Sequence, residues 1–339
     1  MKKVRVEDAI GMIIAHDLTK IVPGEFKGAA FKKGHIIQAK DIDELKAIGK
    51  SHIYIIETNS NMYHEDEAAL ELGQAIGGKN TYFKLPSEGK VNILAATDGI
   101  LKVNTELLYE VNDIKNIVVS TLHNNTLVLK ETIVSATKVT PLVIEKKYID
   151  IAKEALKSVT GIVEIKPFIP QKVGIVITGT EVYNGVIADR FAPIIKEKVN
   201  KYKAIIEDVI FVPDDLEKID NAIKLFKSRG CKLIICSGGM SVDADDLTPT
   251  AIEMAAKEVV TYGSPVIPGA MFMLAYDNDI TLVGIPACGM FSKITVFDIL
   301  LPRIMAKDKI SKREISELSH GGLCLKCDIC HYPICPFGK

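Results

Sequence analysis

A short segment in the second half of the chain has the residue types needed to bind an anion. In Cys236–Ile252 (CSGGMSVDADDLTPTAI), an apolar run ends at Gly238-Gly239, a loop rich in small and acidic residues follows, and Thr248-Pro249 opens a predicted helix. Glycines at the carboxyl end of a strand let backbone N–H groups approach a ligand, and a helix N-terminus favours negative charge. We therefore expect a phosphate-bearing ligand here, with Thr248 as the N-cap residue and Pro249 in the first helical turn.

Three aspartates in the same loop bear on the charge of that ligand. Asp243, Asp245 and Asp246 would repel a bare phosphate, and an oxygen-liganded Mg²⁺ between carboxylate and phosphate would remove the conflict. Acidic residues before a helix also favour its dipole without binding anything, so the aspartates alone leave both interpretations open. A second glycine-bearing turn, Thr178-Gly179-Thr180-Glu181, follows another predicted strand and favours a ligand site. Neither turn has the GxGxxG or the GxxxxGK[ST] pattern, which disfavours nicotinamide and kinase-type functions.

Four of the seven cysteines are clustered at the C-terminal end. Cys324, Cys327, Cys330 and Cys335 follow the pattern C-x2-C-x2-C-x4-C, and Pro336 comes next. This clustering favours metal binding over disulfides, and four close thiolates suit either tetrahedral Zn²⁺ or an iron–sulfur cluster. The pattern differs by one residue from the ferredoxin run C-x2-C-x2-C-x3-C-P, and a lone cluster requires the last cysteine to fold back on it. Zinc and iron–sulfur therefore both stay open, on a tail that the pair Gly321-Gly322 is expected to join flexibly to the rest.

The elements that must position these residues alternate between strand and helix from Lys172 onward. Continuous apolar runs predict strands buried on both faces, and apolar stripes with a period of 3.6 predict the helices between them. Such alternation predicts an α/β fold, with a mainly parallel sheet and helices on both faces. The predicted strands are 173–178, 205–212, 232–236 and 280–285, and the predicted helices begin at 191, 216, 249 and 291, the last two ending at 257 and 305.

The first 170 residues predict a mixed, β-rich part. Short β-branched runs separated by Asp-Gly, Asn-Asp and Asn-Asn turns indicate strands, and a domain boundary is expected where Pro167 and Pro170 break regular structure. The predicted helices here are 41–49 and 65–76, and the predicted strands are 53–56, 91–95, 117–119, 127–129 and 139–144. The predicted domains are a small α+β unit (1–60), a β-rich accessory region (61–170), the α/β domain (171–309) and the cysteine-rich tail (320–339).

Composition narrows the classes of partner. The 339 residues are 47% hydrophobic and 25% charged with a formal net charge of -1, which is typical of a soluble globular protein without a basic field for nucleic acid or anionic membranes. We find no apolar stretch of signal-peptide or membrane-spanning length. The expected location is therefore the cytoplasm.

The two glycine turns carry a family resemblance. TGTEVYNGVIADRF (178–191) and SGGMSVDADDLTPTAIE (237–253) resemble the two motifs of the molybdopterin-binding domain of molybdenum-cofactor biosynthesis, and 266–305 resembles the closing segment of the molybdenumtransferase. The family also includes molybdopterin adenylyltransferase and gephyrin. The resemblance covers roughly 172–306, with weaker similarity to the transferase's accessory domains at 6–19 and 41–56.

The resemblance implies roles for individual residues. Asp189 and Asp246 match the acidic positions associated with catalysis and Mg²⁺, whereas Gly238, Gly239 and Ser241 match the loop around the ligand's phosphate. The family's proline-glycine-asparagine-proline loop is here Pro286-Ala287-Cys288-Gly289, and its N-terminal serine-alanine-methionine-aspartate-glycine stretch has no counterpart, so binding is better supported than catalysis. The full set of expected molybdopterin contacts is Thr178, Gly179, Glu181, Ser237, Gly238, Gly239, Ser241, Asp245, Thr248, Pro286 and Cys288.

The resemblance thus implies a molybdopterin-binding protein that handles molybdopterin or its adenylylated form with Mg²⁺. Its activity would be of the molybdenumtransferase or adenylyltransferase type. The alternatives are a non-catalytic carrier or sensor of the molybdenum cofactor, which the missing transferase motifs favour, and a competence-damage-type domain acting on another nucleotide. The family further implies a homodimer, with a molybdoenzyme or a cofactor-pathway protein as partner.

Overall fold

The computed structural model describes residues 2–22, 25–55, 61–86 and 89–339, which divide into two compact units. The first unit is Met1–Ile165 and the second is Lys166–Lys339. The finer predicted division into four domains stays a prediction. No helix in the described ranges is both long enough and apolar enough to cross a membrane.

The first unit combines small antiparallel sheets with helices. Its helices are α1 (Asp41–Ala47), α2 (Glu65–Ile76), α3 (Thr105–Asp113) and α4 (Lys146–Ala155). Among the described residues, the sheets have the strand orders β1-β4, β2-β3, β5-β12, β6-β7-β11-β9 and β10-β8-β13. The strands are β1 (Lys2–Arg5), β2 (Leu18–Val22), β3 (Phe26–Phe31), β4 (His52–Ile55), β5 (Met62–His64), β6 (Thr81–Phe83), β7 (Lys90–Ala95), β8 (Gly99–Val103), β9 (Ile117–Thr121), β10 (Leu127–Val128), β11 (Ile133–Val139), β12 (Val143–Glu145) and β13 (Val163–Pro167), whose last residues are the first of the second unit.

The sequence predicts the bounds of an element in this unit correctly where a helix cap marks its start. The α2 helix has the predicted bounds because His64 and Glu67 form a capping box at its start, in which the Glu67 carboxylate accepts the His64 N–H at 3.0 Å. The predicted strand 139–144 is wrong, because Val139 ends β11 and a turn separates it from β12. The expected last residue of strand 53–56, Ile56, lies outside the described residues.

The second unit is built on one six-stranded sheet with the strand order β15-β14-β16-β19-β18-β17. The first four strands in that order are parallel, and β18 and β17 run antiparallel to their neighbours. The strands are β14 (Lys172–Thr178), β15 (Ile205–Val212), β16 (Leu233–Ser237), β17 (Glu258–Tyr262), β18 (Met273–Asp277) and β19 (Ile280–Ile285). The helices are α5 (Thr180–Tyr183), α6 (Phe191–Asn200), α7 (Leu216–Ser228), α8 (Thr248–Ala255), α9 (Val296–Met305) and α10 (Lys312–Glu317).

Alternation along the parallel strands builds a core on each face of this sheet. Ile175 and Ile235 pack with α6 and α9 on one face, whereas Val176 and Ile234 pack with α7 and α8 on the other. Fully burying each such side chain contributes roughly 1.5–3 kcal/mol. The predicted α/β class with helices on both faces is therefore confirmed.

Three expectations for this unit need correction. The antiparallel strands β17 and β18 were not expected, and they lengthen the sheet beyond its parallel half. The closing helix begins at Val296 instead of residue 291, because Thr295 and Asp298 form a capping box there while Ala287–Met290 forms a separate 3₁₀ turn. The tail is also not flexibly joined, because Phe337 is only 4% exposed and lies in the core of the unit.

Candidate functional site

The carboxyl ends of the parallel strands meet at one edge of the second sheet, where we place the candidate site. The β14 strand ends at Thr178 and β16 ends at Ser237, so the two glycine turns are neighbours at this edge. The β19 strand ends beside them and leads into Pro286–Gly289. Open α/β sheets bind ligands outside this edge. The tertiary structure thus brings together the three segments that the sequence singled out.

The Gly238-Gly239 turn is tightly packed, and Gly238 has no space for a side chain. Gly238 has φ +97°, and a Cβ there would lie 2.1 Å from the carbonyl oxygen of Thr178. Gly239 has φ +53°, and its Cβ would lie 3.1 Å from the hydroxyl of Thr248. Both φ values are in the left-handed region that favours glycine. The turn therefore packs directly onto the end of the neighbouring strand.

Three of the expected contact residues form the floor of the site. Thr178, Ser237 and Thr248 are at most 3% exposed. The hydroxyls of Thr178 and Thr248 are hydrogen-bonded to each other at 3.1 Å, and the Ser237 hydroxyl donates to the Ile285 carbonyl at 3.3 Å. The prediction that Thr248 is an N-cap is wrong, since it is the first residue of α8 and no side chain caps that helix. Its hydroxyl joins two turns of the site instead.

The predicted acidic residues lie in the segments that follow β14 and β16. The Asp189 carboxylate accepts the N–H groups of Phe191 at 2.8 Å and Ala192 at 3.1 Å, at the start of α6. The Asp246 carboxylate accepts the N–H of Asp243 at 3.2 Å. Glu181, Asp245 and Ser241 are exposed. In the part of the chain that the structure describes, no three His, Cys, Asp or Glu side chains form a group that could hold a metal ion.

Asp214 is a site residue that sequence reasoning missed. Its carboxylate accepts the N–H of Thr180 at 2.9 Å and the Thr180 hydroxyl at 3.1 Å. A Cβ added to Gly239 would lie 3.5 Å from a carboxylate oxygen of Asp214. Asp214 is therefore hydrogen-bonded to the first glycine turn and lies next to the second. Its position just after the predicted strand 205–212, at the same sheet edge, was a usable signal.

Tyr262 is the second such residue. Its hydroxyl lies 3.1 Å from the carbonyl oxygen of Met240 and 3.0 Å from that of Ser241, and holds the acidic loop. Burial, followed by the negative charge of Asp246, raises the pKa of Tyr262. The tyrosine therefore stays protonated and able to donate at neutral pH. No sequence signal marked it, because β17 was not predicted.

Cys288 provides the thiol in the Pro286–Gly289 segment. It is half-buried in the 3₁₀ turn that follows β19, and its carbonyl accepts the N–H groups of Phe291 and Ser292. Burial raises the pKa of the Cys288 thiol, although a hydrogen bond from Gly269 and the charge of Lys198 oppose the shift. The thiol is therefore protonated at neutral pH and is a weak nucleophile.

The four tail cysteines come after α10 in the chain and share one cavity. Cys324, Cys327, Cys330 and Cys335 all line a cavity of about 510 Å³. Cys324 and Cys335 are half-buried, and Cys327 and Cys330 are exposed. Their metal-binding role stays a prediction.

A known protein family matches the segment that contains both glycine turns. Residues 174–306 match the family model described as “Probable molybdopterin binding domain”. The resemblance expected from the two motifs is therefore confirmed for this segment. Residues 3–57 match a second family model, described as “Domain of unknown function (DUF8806)”.

Individual relatives match only part of the chain. A molybdopterin molybdenumtransferase of Synechococcus elongatus is 24% identical over 161 residues, which are 44% of this chain and 40% of the relative. A CinA-like protein of a Mycobacterium species is 31% identical over 90 residues, covering 26% of this chain and 21% of the relative. The chain thus spans less than half the length of these curated relatives. Among solved structures, the molybdopterin biosynthesis enzyme MoaB of Thermus thermophilus has 18% identity and a TM-score of 0.36, covering 41% of this chain and 98% of its own.

Proposed function

We propose that the carboxyl edge of the second sheet binds molybdopterin or its adenylylated form. The observation that carries this proposal is the Gly238-Gly239 turn, which packs against Thr178 and Thr248 and has no room for a Cβ at Gly238. A backbone without side chains lets a phosphate approach closely at the end of a strand. The family match over 174–306 supports a pterin phosphate as the ligand.

We further propose that Mg²⁺ binds with this ligand. The available donors are carboxylate and hydroxyl oxygens, which is the donor set that Mg²⁺ prefers, and Mg²⁺ is usually held by one or two carboxylates together with substrate phosphates and water. Asp246 and Asp189 would hold it. When bound, the ion neutralises the phosphate charge that the acidic loop otherwise repels.

The test replaces each carboxylate with an amide of the same shape. Asp246→Asn and Asp189→Asn should each weaken binding by about 1–3 kcal/mol, because a charged partner is lost. Calorimetric titration with molybdopterin, with and without Mg²⁺, measures this effect. Asn keeps one acceptor oxygen for the start of α6, so that helix should survive in Asp189→Asn. The matched control is Asp279→Asn, whose carboxylate pairs with Lys232 at 2.6 Å near the start of β16. Unchanged affinity and Mg²⁺ dependence in both site variants would contradict the assignment.

A non-catalytic carrier or sensor is the second candidate function. The observation that favours it is Pro286–Gly289, where the thiol of Cys288 is the sole ionisable side chain and stays protonated. A carrier should return adenylylated molybdopterin unchanged after incubation with molybdate and Mg²⁺, whereas a transferase should release the nucleotide. Stronger binding of a free nucleotide than of molybdopterin would instead favour the competence-damage type of activity.

We also propose that the tail holds a metal centre, either Zn²⁺ or an iron–sulfur cluster. The spacing of the four cysteines along the chain carries this proposal. Metal analysis of protein purified without oxygen tests it, and protein without any bound metal would contradict it.

A further inference from the structure

The segment between β19 and α9 carries two of the proposed ligand contacts. This β19–α9 loop (residues 286–295) contains Pro286 and Cys288. Within it, the N–H groups of Phe291 and Ser292 donate to the Cys288 carbonyl at 3.1 and 2.9 Å. Bonds of this kind fix the local shape of a loop, but they do not fix its place relative to the rest of a site. That place depends on contacts with neighbouring elements.

Lys198, in the last turn of α6, contacts the β19–α9 loop from outside. Its Nζ donates to the two carboxylate oxygens of Asp298 at 2.5 and 2.6 Å, and to the backbone carbonyl of Lys293 at 3.4 Å. Only 12% of the Lys198 side chain and 11% of the Asp298 side chain are exposed. Charge-assisted hydrogen bonds are roughly twice as strong as neutral ones. Lys198 therefore attaches the loop firmly to α6.

Asp298 extends this attachment to the end of the loop. Its carboxylate accepts the Thr295 N–H at 2.8 Å and the Thr295 hydroxyl at 3.2 Å. The same carboxylate receives the Lys198 ammonium, which stabilises it in its charged, accepting form. Lys198 thus holds Lys293 directly, and through Asp298 it holds Thr295.

The thiol of the loop lies within the electrostatic range of the same lysine. Burial raises the pKa of the Cys288 thiol, and the charge of Lys198 is one of the influences that oppose this shift. Lys198 and Gly289 also line one small cavity. The contacts of Lys198 therefore run along the loop, from its 3₁₀ turn to the start of α9.

The helix that carries Lys198 begins at another proposed site residue. The Asp189 carboxylate accepts the N–H groups of Phe191 and Ala192 in the first turn of α6. The helix is ten residues long, and an α-helix is a regular element that rises about 1.5 Å per residue. The helix therefore holds the attachment point of the loop at a set distance from Asp189.

We propose that Lys198 is a positioning residue of the molybdopterin site. Through Asp298 and the Lys293 carbonyl, it holds the β19–α9 loop so that Pro286 and Cys288 meet the ligand. This inference rests on the proposed function of the sheet edge, and it adds a residue that lies outside both glycine-turn motifs.

The experiment compares variants of the full chain by calorimetric titration with molybdopterin and Mg²⁺. Lys198→Met keeps the apolar stem without the charge and should bind roughly tenfold more weakly, because the charged hydrogen bonds that hold the loop are lost. Lys198→Arg should retain most of the affinity. Lys198→Gln, which keeps a donor without the charge, takes the place of Lys198→Met if that variant does not fold. The matched control is Lys201→Met, because Lys201 lies at the same end of α6 with its side chain 62% exposed.

A second readout follows the loop without any ligand. Alkylation of Cys288 by iodoacetamide, measured by peptide mass spectrometry, should be faster in Lys198→Met and should level off at lower pH, because a displaced loop relieves the burial of the thiol. Loss of the lysine charge alone would have the opposite effect, since that charge favours the thiolate. Cys236 is fully buried on β16, and its unchanged alkylation would show that the whole unit has not unfolded.

The possible failures are distinct. Unchanged molybdopterin affinity in Lys198→Met would overturn the inference and leave the proposed function intact. Slower alkylation of Cys288 in this variant would show that Lys198 acts on the thiol through its charge and does not position the loop. Lower stability with unchanged affinity and unchanged alkylation would make Lys198 part of an ion pair that only stabilises the fold. A wild-type chain that does not bind molybdopterin would overturn the proposed function itself, and this inference with it.

Discussion

Substitution of Gly238 tests the most constrained point of the candidate site. In Gly238→Ala, the new Cβ would lie 2.1 Å from the Thr178 carbonyl oxygen, which belongs to the backbone at the end of β14 and cannot rotate away. The residue also has φ +97°. The matched control is Gly230→Ala, where φ is +79° and no atom lies within 4 Å of the new Cβ. Both variants place an alanine at a positive φ, and only Gly238→Ala brings the new Cβ against another atom.

The structure sets the expected magnitudes. Left-handed backbone costs an L-residue roughly 1–2 kcal/mol, which is the whole expected loss in Gly230→Ala. Overpacking adds about 1–3 kcal/mol, so Gly238→Ala should lose about 2–5 kcal/mol of unfolding free energy. The chain contains no Trp, and urea denaturation is therefore followed by far-ultraviolet circular dichroism. Molybdopterin affinity should fall in Gly238→Ala and stay unchanged in Gly230→Ala.

Comparison of the two variants decides whether close packing holds the turn and whether the turn binds the ligand. If Gly238→Ala loses no more stability than Gly230→Ala, the turn has room to relax and the close packing of the two strand ends is not what holds it. If it loses stability but binds molybdopterin normally, the turn is structural and the ligand lies elsewhere.

Other predictions concern buried polar groups and the loop thiol. Thr248→Val should cost about 1–3 kcal/mol of stability, because it removes the hydrogen-bond partner of a buried hydroxyl. Arg303→Gln should cost about 1.5–3 kcal/mol, because the Arg303 side chain is 5% exposed and its loss removes charge-assisted hydrogen bonds to Asp308 and Glu314. The exposed ion pair of Arg313 should contribute little on Arg313→Gln. Cys288 should react slowly with iodoacetamide at pH 7, and its rate should still be rising above pH 9, because the raised pKa keeps the thiolate scarce below that range. Bound molybdopterin should slow this alkylation further.

Each of these predictions has a result that would contradict it. Denaturation curves that superimpose on wild type for Thr248→Val would mean that water replaces the lost partner. Equal losses of unfolding free energy in Arg303→Gln and Arg313→Gln would contradict the idea that burial strengthens the ion pairs of Arg303. A Cys288 alkylation rate that levels off below pH 8, measured by peptide mass spectrometry, would show a lowered pKa, and a rate indifferent to molybdopterin would place the thiol away from the ligand.

Much of the site was predictable because its parts are local. The turn Gly238-Gly239 and the turn beginning at Thr178 each follow an apolar strand, and parallel strands bring such turns to one edge whatever the rest of the chain does. Asp214 follows the same rule at the end of β15 and could have been found in the same way. Tyr262 could not, because it lies on an antiparallel strand that only packing against β18 reveals.

The sequence by itself determined which segments become buried strands and helices, since apolar period and capping residues act over a few positions. It thereby determined the α/β class and the bounds of α2 and β19. Only the tertiary structure decided how distant groups pair. It turned the hydroxyl of Thr248 from a helix cap into a link between two turns. It also buried Phe337 in the core, although that residue lies in a cysteine-rich segment with no regular apolar period. Such pairings depend on contacts between residues far apart along the chain, which no local pattern records.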